Sequence, residues 1–83
     1  MAQRLVSPKD MHEAACKEML GGREPSNDTE WQLVVNFYGA NIAPEVQPEA
    51  TVFCALIMGC PLDCQTVSYI ASKQASAQMA TRP

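Results

Sequence analysis

Asn27-Asp28-Thr29-Glu30-Trp31-Gln32-Leu33-Val34-Val35-Asn36-Phe37-Tyr38-Gly39 is the stretch on which the fold turns. Two periods compete in it. Trp31, Leu33, Val35 and Phe37 alternate with Gln32, Asn36 and Tyr38, and only Val34 breaks the strand pattern. Aromatic and β-branched residues suit a strand. Yet Trp31, Val34, Val35 and Tyr38 also share one face of a helix. Asn27 followed three residues later by Glu30 is a capping-box pattern, and Gly39 supplies a stop. No second alternating run or hairpin signal stands nearby to pair with a lone strand. The favoured reading is a helix over 28–39. The alternative is an α+β fold in which residues 30–38 form a strand shared across a dimer, because an isolated sheet edge is a liability.

On the N-terminal side, Ser7-Pro8-Lys9-Asp10 is a helix start: Ser7 can cap, and Pro8 sits where a missing N–H costs nothing. Met11, Ala15, Met19 and Leu20 form its apolar stripe, and Gly21-Gly22 ends it. On the C-terminal side, Pro44 and Pro48 exclude a regular helix through a 40–48 linker. Pro48-Glu49 then opens a third helix, predicted over 48–58. Its apolar residues Val52, Phe53, Ala55, Leu56, Ile57 and Met58 cover most of the circumference, which is the pattern of a central helix. After Gly59, Asp63 is the expected N-cap of a fourth helix over 63–76 with Val67, Ile70, Ala71 and Gln74 inward. The expected fold is therefore all-α: one small domain of four helices over 1–83, with 1–6 and 77–83 as frayed tails.

A chain of 83 residues buries only roughly 60–65% of its unfolded surface, so a disulfide, a metal or a second copy often adds stability. The six Lys and Arg against nine Asp and Glu offer no overall basic surface for phosphates. After Glu49 the formal charges are Asp63, Lys73 and Arg82 alone, so the last third suits burial or a partner surface. The start lacks an apolar leader core, and Val52–Met58 is far short of the ~20 residues a spanning helix needs. A cytoplasmic location follows as an expectation, with the four cysteines reduced and a Cys60–Cys64 disulfide disfavoured.

Ala55-Leu56-Ile57-Met58-Gly59-Cys60-Pro61-Leu62 and Thr66-Val67-Ser68-Tyr69-Ile70 resemble the helix-turn-helix of LuxR-type regulators and of region 4 of sigma factors. The resemblance implies a DNA-reading helix carrying Gln65, Thr66, Ser68, Tyr69 and Lys73. The chain departs from the motif in spacing, because Thr66-Val67 stands two residues late relative to Gly59. It departs also in charge, because Lys73 is the one cation on that helix and phosphate contacts come from Lys and Arg.

His12 and Cys16 lie one helical turn apart, and Cys60 and Cys64 flank a turn. Together they would make a Cys3His zinc site, although no glycine-rich knuckle accompanies them. The plainer reading is four free thiols and no cofactor. A Cys–His nucleophile pair is arithmetically possible, but the chain has little room for a water-excluding pocket and an oxyanion site. It has no phosphate loop and no paired-carboxylate signature. It is read as no enzyme.

Trp31, Phe37 and Tyr38, with Glu30 beside them, are the candidate protein-binding residues, since aromatics dominate both cores and hot spots. The competing reading is that all of these aromatics are core. The expected function is a small acidic regulator or inhibitor that binds another protein with a basic patch, and a second copy of itself. Size and charge, by analogy alone, are those of phage and mobile-element products that block a host machine. A helix-turn-helix regulator and a zinc-stabilised module are the alternatives.

Overall fold

A computed structural model describes residues 7–80 of the chain. They form four helices: α1 Pro8–Leu20, α2 Asp28–Ala40, α3 Gln47–Ile57 and α4 Cys64–Ala80. The all-α expectation holds. The frayed tail expected at 1–6 lies outside the described residues.

Each early boundary has a local cause. Ser7 is extended, and its Oγ accepts a 3.2 Å bond from the Asp10 N–H. At the other end Gly21 and Gly22 take φ of +67° and +98°, which an L side chain resists, and the Gly22 N–H returns to the Cys16 carbonyl at 3.0 Å. Asn27 Oδ1 accepts from the Glu30 N–H at 2.9 Å and starts α2. The Glu30 carboxylate reaches back to the Ser26 N–H at 2.8 Å and to Arg23 Nη2 at 2.7 Å, fixing the turn before the helix. Asp63 caps α4 as expected, accepting from the Thr66 N–H at 2.7 Å.

Residues 30–38 are helical, so the strand alternative is overturned, and a strand-mediated dimer goes with it. The reason is which period meets the core. Trp31, Val34, Val35 and Tyr38 are buried together, whereas Leu33, which strand alternation would bury, is exposed. Gly39 does not stop α2 but lies inside it. A Cβ there would come within 3.1 Å of Gln74 Cγ, so the glycine lets α4 approach closely. Gln74 Nε2 donates to Asn36 Oδ1 across the same crossing at 2.9 Å. Helix α4 also continues to Ala80, past the expected end at 76, so residues 77–80 of the expected 77–83 tail are helical, while 81–83 lie outside the described residues. Ala and Gln are good helix formers, and neither Gly nor Pro interrupts them there.

The core comprises Ala15, Cys16 and Leu20 of α1, Trp31, Val34, Val35 and Tyr38 of α2, Cys54 and Ala55 of α3, and Val67 of α4. The most extensive helix pairing is α3 with α4. Helix α3 is not the central helix its composition suggested. It buries Gln47, Thr51, Cys54 and Ala55 and leaves Phe53, Leu56 and Ile57 exposed. In a domain of four short helices an all-round apolar helix can bury only one side. The small side chain of Ala55, fully buried, suits a close approach of α3 and α4, the most extensive pairing. That choice turns the bulky residues of α3 outward.

Candidate functional site

Two features depart from what a simple helical core requires. The first is a buried polar cluster between α1 and α2. His12, only 3% exposed, stacks on Trp31 with ring centroids 5.5 Å apart. Its Nδ1 lies 2.6 Å from Tyr38 Oη and its Nε2 lies 3.0 Å from Glu24 Oε1. Cys16 Sγ, one turn along α1, is 3.5 Å from the same Nε2. A carboxylate can only accept, so in the neutral imidazole Nε2 carries the proton and the Tyr38 hydroxyl donates to Nδ1. Both ring nitrogens are satisfied, which is what allows an imidazole to sit at this depth.

The groups around the imidazole are held protonated. Burial, reinforced by the neighbouring Cys54, Cys16, Cys60 and Glu24, raises the Tyr38 phenol far above its usual range. Burial pushes the Cys54 thiol up to about 11, with the Tyr38 hydroxyl pulling the other way. Cys54 Sγ donates onward to the Pro8 carbonyl at 3.8 Å. Burial and then the Glu24 charge raise Cys16. In the metal-free chain the hydroxyl and thiols are thereby held as neutral hydrogen-bonding and packing groups.

The proposed ligand set His12, Cys16, Cys60 and Cys64 is not assembled. Cys64 is the first residue of α4 and is exposed, and Cys60 is half-buried in the preceding turn. Among the described residues, the set of three metal-competent side chains brought together is His12, Cys16 and Glu24, with donor atoms within 4.8 Å of one another. The i,i+4 spacing of His12 and Cys16 made that half legible. Nothing in Gly-Gly-Arg-Glu-Pro marks Glu24 as its third member.

The second feature is the outer face of α3. Phe53 is 60% exposed, Leu56 53%, Ile57 54% and Val46 49%. Spacings of three and four residues put Phe53, Leu56 and Ile57 on one stripe, and Val46 is the N-cap residue just before the helix, seven residues ahead of Phe53. Glu49 is the one charge on that stripe. The underside of the same helix is polar where it should be apolar. Gln47 and Thr51 are fully buried, and among the described residues Gln47 Oε1, Gln47 Nε2 and Thr51 Oγ1 have no hydrogen-bond partner. Helix α3 thus carries its amphipathicity inverted near its N-terminus.

Of the residues singled out as protein-binding, Trp31 and Tyr38 are core, Phe37 is half-buried against it, and Glu30 is engaged by Arg23 and Ser26. For Trp31 and Tyr38 the core reading is the one that describes their packing. The residues of the DNA alternative do lie along α4: Gln65, Tyr69 and Lys73 are exposed and Thr66 and Ser68 half-buried. Cys64, Gln65, Ser68, Tyr69 and Ser72 line a shallow depression there. Lys73 Nζ sits 5.5 Å from the Tyr69 ring centroid, so the face's one ammonium is held over an aromatic ring. The connection between α3 and α4 runs from Met58 to Asp63, longer than the 3–4-residue turn usual for a helix-turn-helix.

No helix among the described residues is long and apolar enough to cross a membrane. Compared with protein-family models, with curated proteins and with solved structures, the chain finds no match from which a family could be assigned.

Proposed function

We propose that this chain is a non-enzymatic protein-binding module of the regulatory or inhibitory kind, and that its contact surface is the outer stripe of α3. The observation that carries this reading is the inversion of α3. Phe53, Leu56, Ile57 and Val46 stand in water while Gln47 and Thr51 are buried without partners among the described residues. A helix selected only to stabilise a monomer would place these residues the other way round.

The occupant proposed for the stripe is a second copy of the chain. From the fractional exposures, the four side chains leave on the order of 400 Å² of apolar surface in water, the size of the largest, often functional, patch on a typical monomer. Two copies of α3 packed antiparallel about Phe53 set Phe53 on Phe53 and Leu56 opposite Ala50, with Glu49 meeting Ile57 at each end of the contact. Glu49 lies four residues from Phe53, so at 1.5 Å per residue the two carboxylates end about 12 Å apart along the axis. That exceeds the ~8–10 Å screening length of ordinary buffer. The paired area of roughly 800 Å² is below the 1,200–2,000 Å² of stable interfaces, so the association is expected to be weak and exchangeable. Such a surface can be surrendered to a heterologous partner, and the chain's net charge of −3 favours a basic one.

Sedimentation velocity from about 10 μM to 1 mM tests the reading, a range set by the weak association expected of so small an interface. Mass-averaged sedimentation should rise with concentration. Phe53→Glu should abolish the rise while leaving the melting temperature unchanged, because Phe53 touches little of the core. A strictly monomeric wild type across that range, or self-association that survives Phe53→Glu, would remove the support for it.

A further inference from the structure

We propose that His12, Cys16 and Glu24 form a three-ligand site for a divalent zinc-like ion, with the fourth position open to solvent. The site is independent of the α3 face.

The distances favour this reading over a simple capping interaction. Donors held ~2.0–2.3 Å from a tetrahedral ion lie roughly 3.3–3.6 Å from one another. His12 Nε2 and Cys16 Sγ are already 3.5 Å apart on a rigid helical turn. Glu24 Oε1 is 3.0 Å from Nε2 and all three donors fall within 4.8 Å, so only the carboxylate has to shift. Glu24 is free to do so: its side chain is 80% exposed, on the loop between α1 and α2. The loop itself is anchored on both sides of Glu24 by Arg23 and Ser26, which bond to Glu30. Glu24 is also the solvent-facing member, which places the open coordination position outward.

The second shell fits as well. A ligating imidazole needs its other nitrogen to donate to an acceptor. With Nε2 on the ion, the ring proton resides on Nδ1 and is donated to Tyr38 Oη, 2.6 Å away. The Tyr38 O–H then turns to the neighbouring Cys54 sulfur, and Cys54 continues to donate to the Pro8 carbonyl. Every proton in the relay keeps an acceptor. Starting from the neutral imidazole, the ring changes tautomer without changing charge, and the Cys16 thiol gives up its proton to solvent. One proton is released per ion bound. An imidazole, a thiolate and a carboxylate together suit zinc, and cobalt(II) as its spectroscopic substitute.

The test is a titration of the reduced, metal-stripped full chain with Co²⁺ alone, followed by displacement with Zn²⁺. The expected result is one equivalent of Co²⁺, a thiolate-to-cobalt charge-transfer band and four-coordinate visible absorption, all abolished by zinc. Cys16→Ser should remove the charge-transfer band. Glu24→Gln, which keeps an oxygen to accept from His12 Nε2, should keep the band but weaken binding by about tenfold or more. Cys64→Ser should bind as the wild type does. Absence of a thiolate band in the folded wild type would overturn the assignment, and so would a band that persists in Cys16→Ser or depends on Cys64. Unchanged affinity in a folded Glu24→Gln protein would overturn the role of the carboxylate, and with it the three-ligand site.

Discussion

Gln47→Met should make the protein more stable, and the size of the effect follows from the buried amide. Gln47 is fully buried, and among the described residues neither its Nε2 nor its Oε1 has a hydrogen-bond partner. Burying such an amide costs about 1–3 kcal/mol relative to leaving it in water. Methionine has a similar linear shape and flexible fit, and its helix propensity is nearly that of glutamine. Removing the amide should therefore recover about 1–3 kcal/mol. For a domain of this length each kcal/mol moves the melting temperature by about 4–8 °C. Urea unfolding can be followed by helical circular dichroism and by the fluorescence of buried Trp31. It should show a higher midpoint with an unchanged slope, the signature of stability rather than compactness. Thr51→Val, one turn further along α3, should act in the same direction by roughly 1 kcal/mol, since Oγ1 has no partner to lose among the described residues. A lowered midpoint in Gln47→Met would mean that the amide has partners and that the underside of α3 is not frustrated.

Three further outcomes follow from the same contacts. Asn27→Ala removes the acceptor of the Glu30 N–H and should cost about 1 kcal/mol in urea unfolding, the usual worth of an N-cap. Glu30 is held down to about 2, first by its bond to Arg23 and then by Ser26. Its contribution is present above the ordinary value of 4.5 and is lost as pH falls from there toward 2, so melting temperature should drop across that window and drop less in Glu30→Gln. Cys54 behaves in the opposite sense. Its folded-state value of about 11 lies above the ordinary 9.0, so its contribution is complete below pH 9 and is lost as pH rises toward 11. An alkaline melting series should show that decline, with a shallower slope in Cys54→Ala.

Much of the fold was legible because local signals agreed with one another. Ser7-Pro8 and Gly21-Gly22 bracket α1, and Asn27 with Glu30 settles α2 against a strand pattern that residue types alone would favour. Helix α3 was misread for a physical reason. An apolar circumference says that a helix can be buried on any side, not which side will be. Close packing against α4 selected the small residues around Ala55 and turned Phe53, Leu56 and Ile57 outward. Gln47 lay in what reads as linker, just before Pro48, so nothing marked it as core. Half of the imidazole cluster was visible in the spacing of His12 and Cys16. The other partners, Glu24 and Tyr38, are 12 and 26 residues away, and no local pattern reports contacts at that separation.

The association surface can be tested residue by residue with the backbone amide resonances of the labelled chain over a dilution series. On dilution from about 1 mM to 10 μM, the range set by a weak interface of this size, shifts should concentrate on Val46, Glu49, Ala50, Phe53, Leu56 and Ile57, and the buried α2 core should stay still. Shifts confined instead to Gln65, Tyr69 and Lys73 of α4, or none anywhere in a folded chain, would contradict the assignment of the α3 stripe as the contact face.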